Sequence, residues 1–169
     1  MEYREIPYNY TSANDQTLVE ILLGKGVWQD LQFLRDKRIT GKTSRLIFRF
    51  IGDQFIYLRN PYLYQDLLSS SRRRRKVFGK LHGDLVAIRK NCLDPISQRI
   101  FESLWRQYKS FKKEILSTPR RQNKILRAFG RVMGKENVSF SPYDLVAHAT
   151  DATDWRYYLP IAVLRPGHA

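Results

Sequence analysis

A short glycine-lysine-threonine segment is the first part of this sequence whose composition suggests chemistry. Gly41, Lys42 and Thr43 are the residues that end a phosphate-binding loop, in which backbone N–H groups and the lysine hold phosphate oxygens. That loop also needs a glycine five residues before Gly41, and Asp36 occupies this position. The surrounding sequence does not follow the order strand, loop, helix that the motif requires. We therefore do not predict a nucleotide-binding loop here.

The histidines and the single cysteine are the other candidates for catalysis or metal binding. His148 lies near three aspartates, and imidazole beside carboxylate is a common general acid–base pair. These aspartates are Asp144, Asp151 and Asp154. Aspartates in a loop more often accept hydrogen bonds from nearby backbone, and we predict that role for this cluster. Cys92 and the three histidines His82, His148 and His168 are too widely spaced for a metal motif. No catalytic, cofactor-binding or metal-binding residue is therefore predicted.

The distribution of charge is the most unusual property of the chain. Its 169 residues include 30 Lys and Arg against 16 Asp and Glu, a balance of +14. Residues 72–135 hold 19 of the basic and four of the acidic residues, so their local balance is +15. Such a segment attracts an anionic partner, which is a protein surface, a membrane or nucleic acid. We assign seven residues to an anionic-partner patch: Arg72, Arg73, Arg74, Arg75, Lys76, Arg120 and Arg121.

Amphipathic helices must position this basic segment. The spacing of apolar residues predicts one helix that includes the Arg72–Lys76 run and the stripe from Val77 to Ile88, a second from Pro95 to just before Pro119, and a third that ends at Gly134. The apolar positions of the first are Val77, Leu81, Leu85 and Ile88, and those of the second run from Ile96 to Ile115. Shorter helices are predicted over 14–23, from Val27 to about Arg38, and from Pro61 through Leu68. Long helices with short connections favour antiparallel packing.

Residues 45–59 have the composition of a β-hairpin. Two stretches rich in aromatic and β-branched residues flank Gly52-Asp53, which is a turn signal. With the helices before it, the hairpin gives the outline of a winged-helix DNA-binding domain. The second helix, however, carries Asp30 and Asp36, which phosphate would repel. We therefore predict a scaffold role for this part of the chain.

The predicted fold class is mostly α with a small β-hairpin, an α+β arrangement that ends in a strand at Ile161–Leu164. The sequence has neither a signal peptide nor an apolar stretch long enough to span a membrane. A cytoplasmic location is therefore expected, and the basic segment is compatible with a peripheral position at the inner membrane face.

Two blocks of sequence carry a family resemblance. The first joins Arg4–Ala13 to Arg59, Asn60, Pro61, Tyr62 and Leu63. The second is 147–156, and its most distinctive residues are Asp151, Asp154, Trp155 and Arg156. These blocks resemble the N-terminal domain of unknown function in large bacterial FAD/FMN-linked oxidoreductases, which are similar to D-lactate, glycolate and D-2-hydroxyglutarate dehydrogenases.

The resemblance implies that the chain consists of two parts with different functions. Residues 1–146 would be an accessory domain, and 147–169 would be a linker and the first strand of an FAD-binding domain of the p-cresol methylhydroxylase type. The glycine-rich segment for FAD then lies beyond Ala169, so this chain would hold no cofactor and would not be an enzyme by itself. The full-length parent would carry FAD, and iron–sulfur clusters where the family has them.

Two functions follow from these observations. In the first, the chain is a non-catalytic docking domain, and its partner is the downstream flavin domain of an oxidoreductase that acts on 2-hydroxy acids. In the alternative, it is a basic module that binds nucleic acid through residues 72–135. Neither function requires a metal.

Overall fold

The order of elements confirms a mostly helical fold with a small sheet. The computed structural model describes residues 16, 19–20, 23–24, 26–36, 41–148 and 160–167. Its helices are α1 (Val27–Asp36), α2 (Gly41–Arg59), α3 (Pro61–Ser69), α4 (Ser71–Asn91), α5 (Pro95–Met133) and α6 (Pro142–Ala147), with a 3-10 turn at Lys135–Asn137. The strands are β1 (Val138–Ser139) and β2 (Val163–Leu164). The helix predicted over 14–23 falls mostly outside the described residues.

The chain divides into two units. Unit 1 comprises residues 1–52 and 81–109, and unit 2 comprises residues 53–80 and 110–169. Buried apolar residues of unit 1 include Ile47, Phe50, Leu85, Ile88, Ile100 and Leu104. Those of unit 2 include Leu67, Val77, Phe78, Phe111, Ile115 and Leu145. Helices α2, α4 and α5 each contribute residues to both units.

Two ion pairs connect helices within unit 1. Arg99 donates two hydrogen bonds to the Asp30 carboxylate, at 2.7 and 3.3 Å, and so joins α5 to α1. Arg49 contacts Asp84 Oδ1 at 2.5 Å and joins α2 to α4. The second carboxylate oxygen of Asp84 is buried and has no hydrogen-bond partner. Asp30, which argued against DNA recognition by its helix, thus stabilises the fold.

The β-hairpin predicted over 45–59 is wrong, because α2 is one helix of 19 residues. Its buried positions are Thr43, Ile47, Phe50, Ile51 and Gln54. Spacings of three and four are those of a helix, and this periodicity prevails over the strand-like composition. Gly52 lies inside the helix with open space at its Cβ position. Without a hairpin in the described chain, the winged-helix outline is excluded as well.

Helix α3 begins as predicted. The Asn60 side chain accepts hydrogen bonds from the backbone N–H groups of Tyr62 and Leu63, both at 3.1 Å, and Pro61 occupies the first turn. This is the standard way to satisfy backbone donors at a helix start. The apolar stripe predicted for α4 is also confirmed, since Val77, Leu81, Leu85 and Ile88 are all buried.

The second and third basic helices are a single helix, so the predicted end before Pro119 is wrong. Helix α5 has 39 residues and contains Pro119 in its interior. The apolar positions stay in phase across the proline, with Phe111 and Ile115 before it and Ile125 and Phe129 after it. The helix ends at Gly134 as predicted, where the backbone has φ +88, a conformation that favours glycine.

The terminal strand pairs with a segment of its own unit. In the antiparallel sheet, Val138 lies opposite Leu164 and Ser139 opposite Val163. The Arg165 N–H donates to the Asn137 carbonyl at 2.8 Å. The predicted strand at 161–164 therefore forms over Val163–Leu164, and its assignment to a flavin domain stays a prediction.

Asp94 caps the start of α5, and its removal should cost measurable stability. Its Oδ1 accepts hydrogen bonds from the backbone N–H groups of Ile96 (3.0 Å) and Ser97 (2.9 Å). The Ser97 hydroxyl also donates to Oδ2, and these bonds lower the pKa of Asp94. We expect Asp94→Ala to reduce the free energy of unfolding by about 1 kcal/mol at neutral pH.

The pH dependence gives the control for this variant. Because the folded-state pKa is lowered, the cap's contribution is present above the unfolded value of about 3.9 and is lost as the pH falls through the folded value. Urea unfolding at pH 7 should therefore give a lower free energy of unfolding for Asp94→Ala than for the wild type. At a pH below the folded-state pKa of Asp94, this difference should disappear. If Asp94→Ala lowered the free energy of unfolding equally at both pH values, the carboxylate charge would be excluded as the cause of the loss.

Candidate docking site

The seven residues of the anionic-partner patch all belong to unit 2. Arg72–Lys76 occupy the first turns of α4, and Arg120 and Arg121 follow Pro119 in α5. All of them are exposed except Arg74, which is half-buried. Positive charge at a helix N-terminus opposes the helix dipole. The arginines at the start of α4 are therefore present despite an electrostatic cost.

Two of these arginines have partners within the fold. Arg73 contacts Asp66 at 3.1 Å, and both side chains are about half exposed. Arg74 donates hydrogen bonds to the carbonyls of Leu67 and Leu68, each at 2.8 Å. These carbonyls belong to the last turn of α3. Carbonyls at the end of a helix have no N–H donor within that helix. Arg74 thus stabilises the turn between α3 and α4.

The other basic residues of the run have no partner of this kind. Arg72, Arg75 and Lys76 have no carboxylate partner among the described residues. Arg72, Arg73 and Lys76 line one shallow concavity of the surface. The predicted patch therefore consists of residues with different roles, because Arg73 and Arg74 have partners within the described fold.

Arg121 lines a small cavity in unit 2 together with polar side chains of α3 and α5. The cavity holds about 140 Å³. In its wall, the Tyr64 hydroxyl donates to Glu114 Oε1 at 3.0 Å and lies 3.1 Å from Thr118 Oγ1. Burial, and then the charge of Glu114, raise the pKa of Tyr64. The phenol therefore stays protonated and acts as a hydrogen-bond donor rather than as a base.

A larger groove in unit 1 was not anticipated from the sequence. It holds about 550 Å³ and lies between residues of α4 and α5. Its lining residues are His82, Leu85, Val86, Arg89, Cys92, Gln98, Phe101, Glu102 and Trp105. This volume falls within the range of ligand-binding clefts. Trp105 lies within the helix predicted from Pro95, but the apolar spacing did not indicate this groove.

Four aromatic rings form a cluster at this groove. The Trp105 ring stacks on Phe101 with centroids 6.1 Å apart and planes at 27°. Its centroid lies 5.9 Å from those of His82 and Tyr108. Lys109 Nζ lies 5.5 Å from the Trp105 centroid, within the range of a cation–π contact. Trp105 is thus held by neighbours on several sides although it is only half-buried.

The rim of the groove is polar and the floor is apolar. Leu85 and Cys92 are buried, and burial raises the pKa of the Cys92 thiol. Arg89 is exposed and has no carboxylate partner in the described part of the chain, although Glu102 lines the same groove. A neutral thiol is a poor nucleophile. The groove is therefore suited to binding an apolar group with an acidic neighbour.

The other residues that the sequence suggested for catalysis or phosphate binding have structural roles where the structure describes them. Asp144 accepts hydrogen bonds from Ser139 and Arg165, and its carbonyl accepts one from the His148 N–H at 3.0 Å. Asp151 and Asp154 lie outside the described residues. Thr43 is buried in α2, and the element before it is helix α1 rather than a strand. Among the described residues, no group of three His, Cys, Asp or Glu is placed to hold a metal ion.

The residues of the family resemblance are only partly described. Asn60 and Pro61 start α3, Arg59 ends α2, and Tyr62 is exposed. Asp151, Asp154, Trp155 and Arg156 lie outside the described residues. Arg4–Ala13 also lie outside the described residues, and only the 59–63 part of the first block has a described structural role, at the junction of α2 and α3.

Comparison with known proteins gives one match. A family model described as "Protein of unknown function (DUF3683)" matches residues 1–113, which include the whole groove of unit 1. Neither a curated protein nor a solved structure matches the chain. Within the described residues, no helix combines the length and apolarity needed to cross a bilayer.

Proposed function

The chain belongs to the DUF3683 family, whose function is unknown, and from this premise we propose that it is a non-catalytic docking domain for a flavin-dependent oxidoreductase module. The observation that carries docking is the aromatic groove of unit 1. The choice of partner comes from the resemblance of the blocks at 59–63 and 147–156. In this proposal the oxidoreductase acts on 2-hydroxy acids, and FAD and the iron–sulfur clusters belong to the partner.

The groove has the composition of a protein–protein contact. Interfaces combine an apolar, aromatic centre with a polar rim. Here Phe101 and Trp105 form half-buried walls, and Arg89 and Gln98 lie at the exposed edge. Tryptophan and arginine are also the residues that most often dominate binding energy. A large apolar side chain of the partner, next to a carboxylate that pairs with Arg89, fits this arrangement.

Unit 1 also exposes apolar side chains in the groove and next to it in sequence. Val86, which lines the groove, is 41% exposed, and Leu93, which follows the lining residue Cys92, is 86% exposed. Leaving such side chains in water has no benefit for an isolated domain, and contiguous apolar patches commonly mark interaction sites. Both residues belong to unit 1, as the groove does.

The test is a binding measurement with the flavin domain expressed separately. We expect calorimetry at moderate salt to show saturable binding of this domain to the wild-type chain. Trp105→Ala should weaken it at least about 30-fold, which is the effect of losing a binding hot spot. The matched control is Phe48→Ala, which removes a 41% exposed aromatic ring of unit 1 that does not line the groove.

Two results would contradict docking through this groove. One is the absence of binding between the wild-type chain and the flavin domain at any salt concentration. The other is a Trp105→Ala variant that folds normally, by circular dichroism, and binds as tightly as Phe48→Ala.

The alternative, a nucleic-acid-binding module, is supported by Arg72, Arg75 and Lys76 at the start of α4, which have no carboxylate partner among the described residues. Binding by phosphate contacts should be independent of sequence and should weaken by orders of magnitude between about 50 and 200 mM salt. Replacing Arg72, Arg75 and Lys76 by Gln should abolish it while Arg74 keeps the α3–α4 turn. Duplex binding at about 50 mM salt that shows this steep loss at about 200 mM, without binding to the flavin domain, would favour this alternative.

A further inference from the structure

The C-terminal third of α5 is strongly basic. Residues 120–133 contain five basic side chains and no acidic one. The five are Arg120, Arg121, Lys124, Arg127 and Arg131. None of them forms an ion pair with a described carboxylate. The segment therefore presents uncompensated positive charge to its surroundings.

Charged and apolar residues lie on separate faces of this segment. An α-helix turns about 100° per residue, so Arg120, Lys124, Arg127 and Arg131 project within one arc of about 60°, and Arg121 lies at the border of the apolar face. The apolar residues occupy a different arc of about 120°. These are Ile125, Leu126, Phe129, Val132 and Met133. The segment is thus amphipathic, with basic residues as its polar face.

The apolar face of this segment is incompletely covered. Upstream on the same face, Phe111 and Ile115 are buried. Downstream of Pro119, Phe129 is 44% exposed and Val132 is 86% exposed. Ile125, Leu126 and Met133 are half-buried. The fold therefore leaves aromatic and aliphatic side chains in water beside a row of cations.

We propose that residues 120–133 bind the surface of an anionic phospholipid bilayer. A helix with an apolar face and a Lys/Arg-rich polar face lies in the plane of the membrane interface. The cations pair with lipid phosphates, and Phe129 and Val132 enter the acyl boundary. Charge complementarity favours an anionic surface. The exposed apolar residues favour lipid over nucleic acid, whose phosphates make no use of them. This inference does not depend on the proposed docking function.

The experiment uses the full chain and vesicles of phosphatidylcholine with and without phosphatidylglycerol. We expect cosedimentation only with the vesicles that contain phosphatidylglycerol. Each basic side chain near an anionic membrane strengthens binding by roughly fivefold. Arg127→Gln combined with Arg131→Gln should therefore weaken the partition coefficient roughly 20- to 30-fold. Lys90→Gln with Arg106→Gln, two exposed residues of unit 1, removes the same charge and should have a smaller effect.

The apolar contribution separates lipid from nucleic acid. Phe129→Ser with Val132→Ser should weaken vesicle binding severalfold and leave binding to a DNA duplex unchanged. In a second variant, Phe129→Trp, tryptophan emission should shift to the blue on addition of the anionic vesicles. Absence of vesicle binding by the wild-type chain would overturn the proposal. So would duplex binding that responds to the arginine variants when vesicle binding does not.

Discussion

Replacement of Phe111 by alanine should lower the free energy of unfolding by about 3–5 kcal/mol, the usual cost of deleting a buried phenyl ring. Phe111 is 1% exposed. Its ring packs edge-on against Phe78, with centroids 5.5 Å apart and planes at 62°. The variant loses this contact and leaves a cavity in unit 2. Urea unfolding followed by circular dichroism measures the change.

The matched control is Phe129→Ala in the same helix. Because Phe129 is 44% exposed, its loss should cost about 1 kcal/mol or less. If Phe111→Ala and Phe129→Ala lowered the free energy of unfolding by similar amounts, the two rings could not differ in burial as described.

Replacement of Pro119 by alanine should raise the free energy of unfolding by about 1–3 kcal/mol. Proline inside a helix is about 3 kcal/mol less favourable than alanine, because it lacks an N–H donor and its ring contacts the preceding turn. Alanine provides an N–H for the Ile115 carbonyl. Part of the gain is lost because the native helix has already adapted to the proline. Urea unfolding and the helical signal at 222 nm report the effect.

A second proline serves as the control. Pro142 occupies the first turn of α6, where proline is favourable because no intrahelical donor is lost. Pro142→Ala should therefore bring no gain. If Pro119→Ala also failed to raise the free energy of unfolding, this would indicate that α5 ends before Pro119, as the sequence alone suggests.

The helices of this chain could be predicted where apolar spacing and a helix-ending signal agree. In α4, Val77, Leu81 and Leu85 recur at one spacing, and the helix forms as expected. In α2, strand-like composition conflicted with helical spacing, and burial of Ile47 and Phe50 on one side favoured the helix. Local propensity is the weaker signal when tertiary packing opposes it.

Pro119 was misread for a related reason. A proline usually ends a helix because it removes one hydrogen bond. Here the apolar face continues past the proline, from the buried Phe111 and Ile115 to the half-buried Ile125 and Leu126. Sequence rules cannot weigh such tertiary burial against a single lost backbone bond.

Of the candidate docking site, only the positive charge could be predicted from the sequence. The basic run is evident from composition, but the separate role of Arg74 depends on the position of the last turn of α3. The groove was missed because spacing identifies the apolar face of a helix without showing which part of it a neighbour covers. Trp105 and Tyr108 share such a face, yet Tyr108 is buried and Trp105 lines the groove.

The state of Cys92 has a practical consequence for spectroscopy. It is the single cysteine of the sequence, it is 7% exposed, and burial raises the pKa of its thiol. Maleimides and spin labels react with thiolate, so Cys92 should react slowly. A cysteine introduced at an exposed position such as Val132 can therefore be labelled selectively in the otherwise native chain. Fluorescence or paramagnetic resonance from that label would report on a chosen surface without removal of the natural thiol.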